Sequence, residues 1–218
     1  MRGIYQAIIM KKFAVKVCGM REKNNISQLV QLPIDYIGFI FHPQSPRYVG
    51  ENIHKSIIDL IPGSIKKVGV FVNRPVKEVL RIAKENQLQC IQLHGNEIPD
   101  YCNAIKEEGF TVIKAFKAGT ELLTCETANY RFAVDYFLFD TPTANFGGSG
   151  QKFDWQMLMQ QKFYLPFFLS GGISLEDVSK IKNLEIPGLV ALDINSRFET
   201  SPGLKDVEKI KNFIEALN

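Results

Sequence analysis

The chain has 218 residues, of which 45% are hydrophobic and 22% charged, and its net charge at pH 7 is +3. That length suffices for one well-buried core, and the composition excludes disorder, collagen and coiled coil. Lysines and arginines are scattered, which leaves no concentrated basic face for nucleic acid, whereas a small anionic ligand needs only a few placed donors.

In chain order, the opening stretch has a short apolar patch over 7–10 and no cleavage site behind it, so it does not read as a secretory signal. Met10, followed by Lys11-Lys12-Phe13-Ala14-Val15, looks like a natural start. Residues 1–11 are therefore expected to be an extension outside the fold, with 12–218 forming one domain. Eight short apolar runs follow, over 14–18, 36–41, 67–72, 90–93, 111–116, 136–139, 166–169 and 189–194. They are rich in Val, Ile and Phe and almost continuously apolar, as strands covered on both faces should be.

Amphipathic stretches separate them. Over 76–87, Val76, Val79, Leu80 and Ala83 repeat with the period of one buried helix face. Ser174, with Asp177 three residues on, predicts a capped helix over 175–181. Ser201-Pro202 predicts the opening of a last helix that runs to Leu217. No linker divides the chain, and eight βα units of roughly 20–30 residues match the arithmetic of an α/β (β/α)8 TIM barrel. A doubly wound open sheet usually has fewer strands and, when it binds dinucleotides, a glycine fingerprint after its first strand. Here Cys18-Gly19-Met20-Arg21 stands instead.

The four cysteines, Cys18, Cys90, Cys102 and Cys125, lie far apart. Zinc sites usually show close ligand spacing, so no metal is expected, and all four read as reduced thiols of a cytoplasmic protein. No apolar run approaches the roughly 20 residues that cross a bilayer.

In a barrel the active site lies where strands end. Those ends carry Cys18, His42 with Ser45-Pro46-Arg47, Asn73-Arg74, His94-Gly95, Asp140, Gly171-Gly172, and Asp193 through Arg197. One polar residue at a strand end is usually a turn former; one at nearly every strand end is harder to explain by turns. The segments Ser170-Gly171-Gly172 and Asp193-Ile194-Asn195-Ser196 fall after the seventh and eighth strands, where barrels often bind phosphate through backbone N–H groups. The alternative for each is a tight turn into a helix.

Several segments resemble phosphoribosylanthranilate isomerases. They are Lys16-Val17-Cys18-Gly19-Met20, Gly38-Phe39-Ile40-Phe41 with Ser45-Pro46-Arg47, Val68-Gly69-Val70-Phe71-Val72-Asn73, and Ile91-Gln92-Leu93-His94-Gly95. Further on come Phe139-Asp140, Gly147-Gly148-Ser149-Gly150 with Phe153-Asp154-Trp155, Leu169-Ser170-Gly171-Gly172, and Asp193-Ile194-Asn195-Ser196 with Glu199 and Ser201-Pro202-Gly203. Each motif is weak alone, but they occur in order along nearly the whole chain.

The resemblance implies a cofactor-free Amadori rearrangement in tryptophan biosynthesis, with Asp140 as acid and Cys18 as base. Asp140 would need a raised pKa and Cys18 a nearby positive charge to hold it partly as thiolate. Arg47 would meet the anthranilate carboxylate, Gln92 and His94 would line the site, and Asp193 would hold a ribose hydroxyl. Gly171, Gly172, Asn195 and Ser196 would hold the phosphate, and residues 147–150 would form a loop over the substrate. No proton-transfer role falls to His94. Many family members carry glycine after the Asn-Ser pair, where this chain has Arg197; either the turn differs, or the arginine adds charge near the phosphate. The expected partner is the small phosphosugar substrate, with neither nucleic acid nor membrane, and the protein would be a monomer or homodimer. A histidine-pathway ribonucleotide isomerase is the nearest rival, but such enzymes resemble paired-aspartate designs, with an aspartate where Cys18 stands. Indole-glycerol-phosphate synthase would need a lysine acid that finds no place here. A binding-only barrel is disfavoured too, since catalytic decay normally removes the acid or base first and both Cys18 and Asp140 stand where the family pattern puts them.

Overall fold

The computed structural model describes residues 12–118, 123–141 and 154–218. Eight parallel strands close into a barrel in sequence order. They are β1 (Ala14–Val17), β2 (Tyr36–Ile40), β3 (Lys66–Phe71), β4 (Cys90–Leu93), β5 (Thr111–Lys117), β6 (Tyr136–Asp140), β7 (Phe167–Leu169) and β8 (Leu189–Ile194). β8 pairs with β1 from Ala14↔Ala191 to Val17↔Ile194 and closes the ring. Each expected strand is present, displaced at its ends by no more than one residue.

Strand alternation sorts the side chains into two cores. Outward residues such as Val15, Phe39, Phe71, Ile91, Phe137 and Phe167 pack under the helices. Inward residues Val68, Cys90, Ile113, Ala115, Leu138, Phe168 and Ala191 fill the lower barrel. There the Phe168 ring meets Tyr36 and Tyr136 edge-on, with centroids 5.2 and 5.4 Å away. This apolar plug confines polar groups to the upper end, where the strands stop.

The helices are α1 (Lys23–Leu29), α2 (Lys55–Ile58), α3 (Val76–Glu85), α4 (Pro99–Lys106), α5 (Leu123–Ala128), α6 (Val178–Lys182) and α7 (Val207–Leu217). Cys102 and Cys125 lie on α4 and α5. Before β7, Trp155–Gln160 forms a 3-10 helix, with the Asp154 carboxylate accepting the Gln156 N–H. The helix expected over 175–181 begins as a 3-10 turn, Leu175–Asp177, behind a capping box in which Asp177 accepts the Ser174 N–H.

The end of the chain corrects one expectation. Ser201-Pro202 does not open the last helix. Glu199–Ser201 (β9) and Leu204–Lys205 (β10) form a small antiparallel hairpin, and α7 starts only at Val207, capped by Asp206. Gly203 decides this. Its φ of +86° completes a tight Pro-Gly turn and is incompatible with a helical first turn.

Candidate active site

A cavity opens at the upper end of the barrel. Among the described residues, every strand except β5 sends a residue to its wall from its end or the loop behind it. Cys18 arrives from β1, His42 from β2, Gln92 and His94 from β4, Asp140 from β6, Gly171 and Gly172 from β7, and Asp193, Asn195, Ser196 and Arg197 from β8.

The floor of the cavity is charged. Lys16 stands two residues before Cys18 and so shares its inward face. Its Nζ donates to Asp193 Oδ2 at 2.7 Å, and Lys16 is wholly buried. Burial alone would strip the ammonium of its proton, but Asp193 and the neighbouring Cys18 sulfur hold it, and its pKa ends above the ordinary lysine value. Asp193 Oδ1 is buried with no hydrogen-bond partner, and so is Gln92 Oε1. A buried acceptor without a donor is costly, and two of them on one cavity wall suit a ligand rich in hydroxyls.

Cys18 is buried, and burial pushes its thiol above the usual range. Lys16 and Lys205 pull the other way without prevailing. Asp140 also defies expectation. Burial favours its acid form, but the hydrogen bond and charge of His94, together with the Thr141 N–H and the Ser170 side chain, hold its carboxyl below the ordinary value. His94 Nε2 lies 3.3 Å from Asp140 Oδ2. Its Nδ1 lies 2.8 Å from Gln92 Nε2, so with Gln92 donating, the other ring nitrogen carries the proton that points at Asp140.

Behind this row, Glu97 accepts the N–H groups of Asn73 and Gly95 and pairs with Lys114 at 3.2 Å, both side chains almost fully buried. Lys114 also donates to the carbonyl of Gly95, tying the loop after His94 to β5. On the β7 side, Gly171 and Gly172 have φ of +91° and +70°. A Cβ on Gly171 would run into Thr141, so only glycine lets this loop pack against the end of β6 while it borders the cavity.

A family model for N-(5'phosphoribosyl)anthranilate (PRA) isomerase matches residues 15–216. The chain belongs to the phosphoribosylanthranilate isomerase family. A relative from Parabacteroides distasonis named N-(5'-phosphoribosyl)anthranilate isomerase is 44% identical over 204 residues, spanning 93% of this chain and 92% of its own. The phosphoribosyl anthranilate isomerase structure from Thermotoga maritima superposes with a TM-score of 0.83 at 33% identity, covering 94% of this chain and 98% of that one. A phosphoribosyl anthranilate isomerase complexed with reduced 1-(O-carboxyphenylamino)-1-deoxyribulose 5-phosphate has a TM-score of 0.80 at 32% identity, with the same coverages.

Against the phosphoribosylanthranilate isomerase pattern read in the sequence, several placements stand out. Arg47 does not face the cavity. Its Nε and Nη2 grip Glu199 at 2.9 and 2.6 Å, an internal carboxylate that satisfies the fork as the anthranilate was expected to do. Glu199 also accepts from Lys205, whose Nζ reaches Asn195 Oδ1 at 2.7 Å. The Asn195 oxygen is thus occupied by a lysine, which fixes the side chain beside Ser196. Arg197 keeps an ordinary backbone; among the described residues, only Asn73 and Gln87 of the non-glycines have positive φ. The glycines at 147–150, and Phe153, lie outside the described residues.

Lys16, Lys114 and Lys205 carry charge around the site and were missed from sequence. For the first two a signal existed, since each lysine interrupts an otherwise apolar strand. Among the described residues, no three His, Cys, Asp or Glu side chains are grouped to hold a metal, and no helix is long and apolar enough to cross a membrane.

Proposed function

We propose that this chain isomerises N-phosphoribosylanthranilate to the corresponding carboxyphenylamino-deoxyribulose phosphate, with Asp140 as general acid and Cys18 as general base. The observation that carries the reading is the meeting of these two groups on one cavity wall with the two orphaned buried acceptors, Asp193 Oδ1 and Gln92 Oε1. Ring opening needs a proton on the ribose ring oxygen, which Asp140 gives, leaving a Schiff base. Cys18 then takes the proton from C2′ to leave an enolamine. The enolamine tautomerises as C1′ gains a proton and the 2′-hydroxyl loses one. Composition is unchanged throughout, so proton transfer suffices.

Asp193 Oδ1 and Gln92 Oε1 accept ribose hydroxyls in this scheme, and the bare backbone at Gly171 and Gly172, with Asn195 and Ser196 opposite, takes the phosphate. For Arg47 to take the anthranilate carboxylate, its fork must exchange Glu199 for the ligand. Without ligand, the one proton shared by the catalytic pair sits on the Cys18 thiol. Turnover needs it on Asp140. The anionic substrate favours that transfer by adding negative charge and expelling water beside the carboxylate, while Lys16 and Lys205 stabilise the thiolate left behind.

The test is loss of anthranilate fluorescence, with the substrate generated in situ, for wild type, Cys18→Ala and Asp140→Ala. Each substitution is expected to lower kcat by about 10²–10⁴-fold. A folded wild type without turnover would overturn the activity, and full activity in either variant would overturn that residue's role.

A further inference from the structure

We propose that Gln92 is a positioning residue for the general acid: its amide keeps a proton off His94 Nδ1, so Asp140 faces a neutral ring instead of a cation. The inference deepens the isomerase reading and rests on it. Gln92 lies on β4 and His94 just past its end, two residues on, so both face inward. Gln92 is buried, and its strand neighbours are Val70 on β3 and Ile113 on β5. Neither of those side chains can hydrogen-bond an amide. Its Nε2 instead meets His94 Nδ1 at 2.8 Å.

Two contacts fix the state of the ring. Nε2 lies 3.3 Å from Asp140 Oδ2, and lone pairs on both atoms would repel, so this nitrogen carries a proton. Nδ1 faces an N–H donor and must offer a bare lone pair. A second ring proton would set two donors head to head. The other titratable groups on the described wall are Cys18, His42, Asp193 and Arg197, and Glu97, behind the loop, is paired with Lys114. A neutral donor suits an acid that must hold a proton before ring opening and shed it during the step. It steadies the carboxylate as the ribose oxygen is protonated, whereas a cation at 3.3 Å would keep Asp140 ionised from the start. In acid the ring takes its second proton, and its charge then joins the hydrogen bond in holding down Asp140. Near neutrality the amide keeps that charge away. Gln92 Oε1, buried without a protein partner, stays open to a ribose hydroxyl, so one side chain serves substrate and acid together.

The experiment labels the three histidines of the chain, His42, His54 and His94, with a nitrogen isotope and reads the protonation of each ring by proton–nitrogen correlation at neutral pH. The signal lost in His94→Asn assigns the third. Wild type should show His94 with Nε2 protonated and Nδ1 bare. Gln92→Glu keeps an oxygen for the ribose hydroxyl but sets an acceptor against Nδ1, and should give a ring protonated on both nitrogens. Its kcat should fall about 10–100-fold, the worth of a hydrogen bond to a charged group, with the acid limb of the pH profile moved to lower pH. In a His94→Asn background the same substitution should lower kcat by no more than about twofold, because its effect passes through the ring. Gln92→Met adds no buried charge and should raise the pH at which Nδ1 takes up its proton. A wild-type ring protonated on Nδ1, an unchanged ring in both variants, or an undiminished loss in the His94→Asn background overturns the proposal while the isomerase reading stands. A wild type with the expected ring but no turnover overturns that reading, and Gln92's role with it.

Discussion

Asp140 and Cys18 rest in the protonation states opposite to those their roles require, and this has a kinetic signature. The productive form, Cys18 thiolate with Asp140 acid, holds the same single proton as the resting thiol and carboxylate. Its fraction is therefore constant wherever the pair holds one proton. Below the depressed Asp140 value a second proton binds, and above the raised Cys18 value the last is lost. The profile of kcat/KM against pH should be a broad plateau, falling only below the ordinary carboxylate range and above the ordinary thiol range. A narrow bell centred near neutrality would contradict the directions of both shifts. At Gly171 the expectation is steric. A methyl group there meets Thr141 at a φ of +91°, so Gly171→Ala should lose about 1–3 kcal/mol of stability in urea titration and raise KM.

Among the elements, the loops after β3 and β4 and the strand β5 are joined by the Glu97–Lys114 pair. Glu97→Gln leaves a buried lysine without its counter-charge, which costs about 3–5 kcal/mol and should lower Tm by about 10 °C. Asp59→Ala, which breaks an exposed i,i+4 pair with Lys55, should change Tm by less than about 1 °C. The barrel strands were legible in the sequence because burial on both faces writes an unbroken apolar run. The hairpin at Glu199–Lys205 was not. Ser-Pro serves helix starts and turns alike; Gly203 permits the turn, and its N–H is held by Glu199, which Arg47 grips from across the chain. The same limit governed the site. Strand ends named the wall residues, Cys18, Asp140 and the glycines among them. Pairings such as Lys16 with Asp193, separated by 177 positions, leave no local pattern.

For the molecule as a whole, closure of β1 on β8 makes both ends of the barrel segment answer to one another. α7 buries Ile210, Phe213 and Ile214 in the core beneath the helices, beside α1 and α6. Losing three large apolar side chains forfeits about 1.5–3 kcal/mol each, comparable with a total stability of about 5–15 kcal/mol. A chain ending at Asp206 should therefore show no cooperative unfolding transition by circular dichroism, where the full chain shows one. The aromatic plug around Phe168 has a different consequence, one of traffic. It makes the reaction chamber a room with a single doorway, so no product leaves by the far side while a fresh substrate waits at the mouth. Arrival and departure must alternate through the same opening, which makes product a direct competitor of substrate and ties the rate of turnover to how quickly the doorway clears.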